Sequence, residues 1–329
     1  MADDMQAVVV RSHGGPEVLQ LTTVPVPPVG PDEVRVAVRS IAVNFRDVQQ
    51  RRHAATPGAT LPFTPGSDFA GEVLEVGANV ETLQPGAQVF GITLNGAYAE
   101  QVVVPAMTAM PLPPGADFDH GAILPVAGLS ASFLLTTSGI AKGQTAVTYA
   151  AAGGLGCFLG GLLSAAGVRS IGLTSSEDKA KVARAAGHDE IVNYREVDPV
   201  EAVRELTDGV GADVVFDSVA GPTFDRSFRM TRNEGTVVIC GRSAGAPDLA
   251  SVTDDFITVR RNLALREFYL ATHVFDHLDE LPERLQSLAD GIGDGTIRVP
   301  VTSFPLTDVQ RAHQLLERGA TTGKLVLHP

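Results

Sequence analysis

Cysteine is nearly absent: Cys157 and Cys240 are the only two in 329 residues. Two thiols cannot form a four-thiolate zinc lobe, and a secreted disulfide framework uses more of them. Both are expected to behave as small buried hydrophobes. Positive charge is also short. Lys and Arg number 25 against 38 Asp and Glu, a formal charge of −13, which argues against a nucleic-acid surface of clustered cations. A local anion site stays open, because backbone N–H groups with one or two cations suffice to hold a phosphate. The opening residues, Met1-Ala2-Asp3-Asp4, lack the basic-then-apolar pattern of a signal peptide. Apolar runs are broken by Gly, Asp or Arg before they reach membrane-spanning length. Internal repeats and low-complexity segments are lacking too. These absences lead to the expectation of a soluble, cytoplasmic protein with no membrane or nucleic-acid partner.

What is present is a globular composition, 44% hydrophobic and 19% charged, on a chain long enough for two cores. Residues 5–115 alternate apolar and polar in short pieces, at 6–10, 33–38, 71–76, 88–90 and 99–104. Pro-rich and Gly-rich turns such as Gln84-Pro85-Gly86 separate them. This pattern predicts many short strands in an antiparallel or barrel-like arrangement. From about residue 122 to 266 the pattern becomes strand, helix, strand. Strands are expected at 145–149, 170–174, 190–193, 213–216, 236–240 and 263–266, and helices at 155–166, 177–186, 199–206 and 222–230. Unbroken apolar strands alternating with helices predict a doubly wound parallel sheet. Residues 267–329 hold expected helices at 281–291 and 307–318 and strands near 297–301 and 324–327. The segment is too short to fold alone and is expected to pack on the first unit. The predicted domains are therefore 1–121 with 267–329, and 122–266, in an α/β protein.

The strongest chemical signal is Tyr149-Ala150-Ala151-Ala152-Gly153-Gly154-Leu155-Gly156, directly after a predicted strand and opening a helix. Gly153 and Gly156 match the dinucleotide fingerprint and Ala151 replaces its first glycine. Gly153 would let backbone approach a pyrophosphate, and Gly156 would let the helix pack on its strand. The N–H groups around Ala152, Gly153, Gly154 and Leu155 would supply the donors. About twenty residues on, where an NAD site carries a carboxylate, the chain has Leu173-Thr174-Ser175-Ser176, with Lys179 one turn further. Hydroxyls and an ammonium suit a 2′-phosphate, so NADPH is expected over NADH. Glu177 and Asp178 fit as partners of the helix dipole.

Several stretches, in order, resemble the quinone oxidoreductase branch of the medium-chain dehydrogenase/reductase superfamily and the enoyl-reductase domains of polyketide synthases. They are Val43-Asn44-Phe45-Arg46-Asp47-Val48, Pro65-Gly66-Ser67-Asp68-Phe69-Ala70-Gly71, Pro85-Gly86-Ala87-Gln88-Val89 and Pro125-Val126-Ala127-Gly128-Leu129-Ser130-Ala131. After the Gly-rich turn come Val192-Asn193-Tyr194-Arg195-Glu196, Asp213-Val214-Val215-Phe216-Asp217-Ser218-Val219 and Gly323-Lys324-Leu325-Val326-Leu327. The resemblance implies a GroES-like catalytic domain completed by the C-terminal segment, and a Rossmann-type domain with the cofactor in the cleft beside it. It implies 2′-phosphate contacts at Lys179 and Tyr194, and a hydroxyl near the nicotinamide ribose or its phosphate at Ser130. It also implies a ribose loop at Gly241-Arg242-Ser243, carboxamide contacts from Phe268-Tyr269-Leu270, a cofactor role for Lys324, and Asn44 in the catalytic cleft. A homodimer through the edge strand near 263–266 is implied as well.

Zinc-dependent relatives use a Cys, a Gly-His-Glu and a further thiolate or carboxylate. Here that position reads Gly66-Ser67-Asp68, no Cys precedes residue 157, and the eight histidines read as scattered. No metal is expected, which disfavours alcohol oxidation. The implied reaction is hydride transfer from NADPH to an enone or enoyl group, including a polyketide-pathway intermediate. A quinone is the alternative acceptor, and non-catalytic cofactor binding the second alternative. Tyrosines that quinone reductases carry near this point are replaced by Gln49 and Ala55. The basic stretch Gln49-Gln50-Arg51-Arg52-His53 reads either as a rim for an anionic substrate or as a solvated loop. Tyr269 and His53 are the candidate proton donors, with water the other source. Tyr98 reads as packing on a strand.

Overall fold

The computed structural model describes residues 4–54, 56–113, 116–252 and 261–329. It divides into two units. One comprises residues 1–126, 285–289 and 301–329, and the other 127–284 and 290–300. Residues 267–284 and 290–300 thus group with the parallel sheet, across the boundary drawn from the sequence pattern. Ala55 lies outside the described residues.

The first unit is built on a seven-stranded sheet in which Val301–Pro305, Lys324–His328, Glu33–Val43, Asp68–Val76, Gln88–Ile92 and Ala109–Pro111 are neighbours in that order. Gln101–Pro105 pairs off this path with Glu33–Val43. Alternation explains the central strand: Val34, Val36 and Val38 are buried while Glu33, Arg35 and Ala37 between them are half-buried. The pairing is antiparallel throughout except that Val301–Pro305 runs parallel to Lys324–His328. The strand expected near 297–301 therefore starts four residues later. Ile297 and Val299 are buried without joining a ladder, so apolar content there marked core packing instead of a strand. A separate antiparallel pair, Asp4–Val9 with Gln20–Pro25, was legible only in its first strand.

The second unit holds six parallel strands ordered Glu190–Asn193, Arg169–Thr174, Thr145–Thr148, Ala212–Asp217, Thr231–Ile239 and Ala264–Glu267. Numbered along the chain this is 3-2-1-4-5-6, the doubly wound order. Ligands of such sheets bind outside the carboxyl ends, where the order reverses between strands 1 and 4. That end is closed by Asp217, whose carboxylate accepts from the Val219 and Ala220 N–H groups and from Ser227 Oγ. Ala264–Glu267 is an edge strand.

Two expectations need correction. Among the described residues one helical stretch, Phe118–Thr137, is long and apolar enough to cross a membrane by length and composition. However, 61% of its apolar window is buried in the fold, as for a core helix. Its continuity was hidden by Pro125, which has no N–H to give and clashes with the preceding turn. The chain absorbs this as a π-helical turn, Leu124–Gly128. The stretch from Gln49 to His53 is not a solvated loop either. It continues the helix Phe45–Arg52, with Gln50 and Arg51 fully buried.

Candidate functional site

The Gly-rich turn forms as the fingerprint requires. Strand Thr145–Thr148 ends, Ala150 takes a left-handed φ of 50°, and the helix Gly154–Ala165 begins with Gly153 as its N-cap. A Cβ on Gly156 would lie 2.4 Å from Ala150 O and 2.6 Å from Ala151 Cα, so only glycine lets this helix seat on the turn. Gly172 compensates for Ala151 in the place of the first glycine. A Cβ there would meet the Ala151 methyl at 2.7 Å, and its absence houses that methyl in the adjacent strand. The first N–H groups of the helix have no intrahelical acceptor and stand at the switch point of the sheet.

The neighbouring strand ends bring the second group of expected residues together. Tyr194 N–H donates to Thr174 O at 3.0 Å, joining Tyr194 to Ser175, Ser176 and Lys179. Ser176 Oγ accepts from Lys179 N–H at 3.3 Å, so that hydroxyl is occupied as the cap of the helix Glu177–Ala185. Burial first, then the nearby Arg195 guanidinium, lower the Lys179 pKa from its ordinary value. Arg195 is thus a second cation at this end of the sheet. It lay inside the Asn-Tyr-Arg motif but was not singled out. Glu177 and Asp178 pair with Arg184 and Lys181 on the solvent side of their helix.

Further along the same edge, Gly241 presses on Ser218: a Cβ there would sit 2.6 Å from Ser218 O. Ser243 N–H donates to Ser218 O at 3.3 Å, and Phe268 N–H to Ile239 O at 2.8 Å. Arg242 is engaged by Glu267 on the next strand. Tyr269 is 41% exposed and caps a short helix that begins at the buried Leu270. Ser130 is half-buried on Leu129–Thr137. His53 is exposed at the end of Phe45–Arg52. The histidines are less scattered than expected. His273 and His277, four residues apart, stack at 4.3 Å between ring centroids, and Phe133 packs edge-on against His273. An open cavity of about 220 Å3 beside Phe268 and His273 does not reach the Gly-rich turn. Among the described residues no group of three or more His, Cys, Asp or Glu could hold a metal ion.

In the first unit Asn44 organises a buried polar cluster that the sequence did not disclose. Asn44 precedes the helix Phe45–Arg52, and Asp47 Oδ2 accepts from its backbone N–H at 2.8 Å, the return bond of a capping box. The Asn44 side chain is then turned to its neighbours: Nδ2 donates to Asp68 Oδ2 at 2.9 Å, and Oδ1 accepts from Lys324 Nζ at 2.6 Å. Lys324 Nζ also donates to Val43 O at 2.9 Å. Lys324, expected as a cofactor contact, has two of its three donors engaged, by Val43 O and Asn44 Oδ1, at 6% exposure. Burial pushes the Asp68 carboxyl up to about 7 against the opposing pull of Lys324 and the Asn44 amide. Burial likewise raises Asp47 and lowers Lys324.

Tyr98 lies outside any strand, against expectation, while its full burial agrees with a packing role. Its hydroxyl donates to Asp47 Oδ2 at 3.0 Å and lies 3.0 Å from His313 Nε2. His313 is held neutral, its pKa lowered to about 3 by burial and by Arg51, so Nε2–H can donate to the tyrosine oxygen. Gly66 at φ 98° makes room for that ring, since a Cβ would lie 2.4 Å from Tyr98 Cδ1. Arg51 and Arg52 both pair with Glu317, and Arg46 donates to Ser67 Oγ at 2.7 Å. Arg51 is therefore spent inside the fold, while Arg52 and His53 stay exposed.

The comparisons with known proteins match both units. Residues 30–114 match the alcohol dehydrogenase GroES-like domain and residues 186–327 the zinc-binding dehydrogenase family. A quinone oxidoreductase of Pseudomonas aeruginosa is 35% identical over 97% of this chain and 98% of its own. The chain belongs to the zinc-independent quinone oxidoreductase branch of the medium-chain dehydrogenases/reductases. A 2-haloacrylate reductase of a Burkholderia species is 32% identical over 99% of both chains. The crystal structure of Escherichia coli quinone oxidoreductase complexed with NADPH superposes with a TM-score of 0.91 at 33% identity, covering 98% of this chain and 100% of that one. The fold is accordingly a GroES-like domain with a Rossmann-type parallel sheet.

Proposed function

We propose that this protein is an NADPH-dependent oxidoreductase that reduces a carbonyl-activated acceptor, a conjugated C=C bond in the first instance and a quinone in the second. The observation that carries the reading is the pairing of the Gly153–Gly156 turn with two neighbouring cations, Lys179 and Arg195, at the carboxyl end of one sheet. The turn fits a pyrophosphate because its packing admits no Cβ at Gly156 and its helix start offers N–H donors. Lys179, Arg195, Tyr194 and Ser175 would hold a 2′-phosphate. Gly241, Arg242 and Ser243 would pass the nicotinamide ribose, with Ser130, Phe268, Tyr269 and Leu270 as further contacts.

NADPH, when bound, supplies the hydride. The chain must then meet the negative charge that gathers on the acceptor's carbonyl oxygen, and a fixed donor does this at least reorganisation cost. Asn44 is the group we assign to it. Tyr269 and His53, both exposed, and water are the sources we assign to the final proton. The relatives support both acceptor classes, since one is named for a quinone and another for a 2-haloacrylate, an alkene conjugated to a carboxylate. A homodimer through Ala264–Glu267 is part of the proposal, because among the described residues that strand is a sheet edge. Gel filtration at monomer mass would remove that part.

The test follows NADPH absorbance with a quinone, a cyclic enone, and enoyl thioesters both free and carrier-bound. Turnover of the enone or thioester above the quinone supports the first reading, and the reverse order the second. Tight NADPH binding without turnover of any acceptor would make the protein a non-catalytic cofactor binder.

A further inference from the structure

We propose that Lys324 is a positioning residue for the reaction: together with Asp68 it clamps the Asn44 amide in the one orientation that keeps an Nδ2–H available to the acceptor's carbonyl oxygen. The inference rests on the reductase reading above and assigns work to a residue whose family position suggests a cofactor ligand.

The neighbours dictate the amide's orientation. A lysine ammonium only donates, so the amide oxygen must face Lys324 Nζ, as it does at 2.6 Å. Asp68 Oδ2 accepts at 2.9 Å, so the amino group must face it. Flipping the amide would set donor against donor and acceptor against acceptor. One Nδ2 hydrogen is thereby committed to Asp68. The other reaches only Ala42 O at 3.4 Å, too long for a strong bond and open to replacement by a substrate oxygen. A cation on the amide oxygen also draws density from the nitrogen and strengthens that remaining donor.

The clamp is held by backbone pairing, not by loops. Asp68 opens a strand that pairs with Glu33–Val43 in the register Asp68↔Ala42. On the other side of Glu33–Val43, Leu325 pairs with Val43, setting Lys324 one residue from the same end. Asn44 follows directly from the central strand, so all three side chains come from adjoining strand ends, where a group is positioned most rigidly. The charged groups that face Lys324 are Asp68 and Asp47, and Asp47 is tied in turn to the Asn44 backbone and to Tyr98.

The experiment compares wild type with Lys324→Met and with the double variant Lys324→Met/Asp68→Asn, which removes both buried charges and so guards against unfolding. NADPH affinity is read by fluorescence titration, folding by thermal melting, and kcat and KM with whichever acceptor the wild type reduces. The expected result is a loss in kcat of about 10- to 100-fold, below the roughly 100- to 1000-fold for outright removal of one oxyanion donor, because Asn44 is misoriented and not removed. It should appear in both variants, with NADPH affinity unchanged and the double variant melting as wild type. A double variant with wild-type kcat would overturn the proposal. So would an unchanged kcat with weakened NADPH binding, which would return Lys324 to the cofactor. Absence of turnover in the wild type itself would instead defeat the reductase reading, and this inference with it.

Discussion

Gly153 and Gly156 lie three residues apart, yet substituting alanine at each should fail in different ways. At Gly156 a Cβ would stand 2.4 Å from Ala150 O, 2.6 Å from Ala151 Cα and 2.7 Å from Ala151 C. That is roughly 1 Å short of ordinary contact, against backbone atoms that cannot rotate aside. Overpacking of this kind costs about 1–3 kcal/mol, against which alanine regains up to about 1 kcal/mol of helix propensity. Gly156→Ala should therefore lower the melting temperature by about 2–4 °C for each net kcal/mol lost, and NADPH affinity with it. At Gly153 the added Cβ meets Ala150 O at 3.2 Å and the Ala150 Cβ at 4.0 Å, a far milder contact, and φ is an unstrained −84°. Gly153→Ala should melt as wild type. Its methyl nevertheless occupies the approach that we assign to the pyrophosphate, and losing one charge-assisted N–H contact costs about tenfold or more in NADPH affinity. Melting curves and fluorescence titration of both variants separate the effects. A Gly153→Ala protein with wild-type NADPH affinity would refute the phosphate assignment for this turn.

Other outcomes follow from single groups. Lys179→Ala and Arg195→Ala should each reduce the preference for NADPH over NADH by about 10- to 100-fold, the worth of a charged hydrogen bond; binding titrations with both cofactors check this, and an undiminished preference in both would sink the 2′-phosphate site. His188 is buried with its pKa lowered to about 4, burial being the main cause, and Nε2 donates to Gly156 O at 3.0 Å. Its folded value lies below the unfolded one, so its stability contribution is complete above pH 6.5 and disappears as pH falls toward 4. The loss is about 3 kcal/mol, and denaturant midpoints should fall less steeply with acid in His188→Gln. Tyr98→Phe leaves Asp47 one donor short and should cost about 1–3 kcal/mol by chemical denaturation; an unchanged midpoint would show that the hydroxyl is not needed.

The parallel-sheet unit was legible because each signal there is local. Apolar runs mark strands, the Gly-rich turn follows one of them, and helix boundaries at Glu177 and Pro199 coincide with capping residues Ser176 and Asp198. Prolines and mixed polarity misled elsewhere. Pro125 concealed a helix that survives through a π turn, and Ile297 and Val299 imitated a strand while merely filling core. Arg51 looked like a solvated cation because nothing local reveals Glu317, its partner 266 positions away.

The Asn44 cluster was illegible for the same reason in a sharper form. Its members lie at positions 44, 47, 68, 98, 313 and 324, and only the first pair shows a local pattern, an Asn followed three residues later by an acid. Each of the others has an ordinary local explanation. Asp68 stands where zinc relatives carry a glutamate, Tyr98 follows a turn, and Lys324 opens a terminal strand. What makes them one group is strand register, which sets Asp68 opposite Ala42 and Leu325 opposite Val43 on either side of Asn44. Buried ionisable groups carry a desolvation cost that only mutual pairing offsets. Holding a lysine and two aspartates around a single amide therefore has a thermodynamic cost that an apolar core would avoid. A selected function at Asn44 gives that cost a reason, and the Lys324→Met/Asp68→Asn variant tests it directly. If the double variant is as stable as wild type or more so, yet slower, the cluster is retained for chemistry and not for folding.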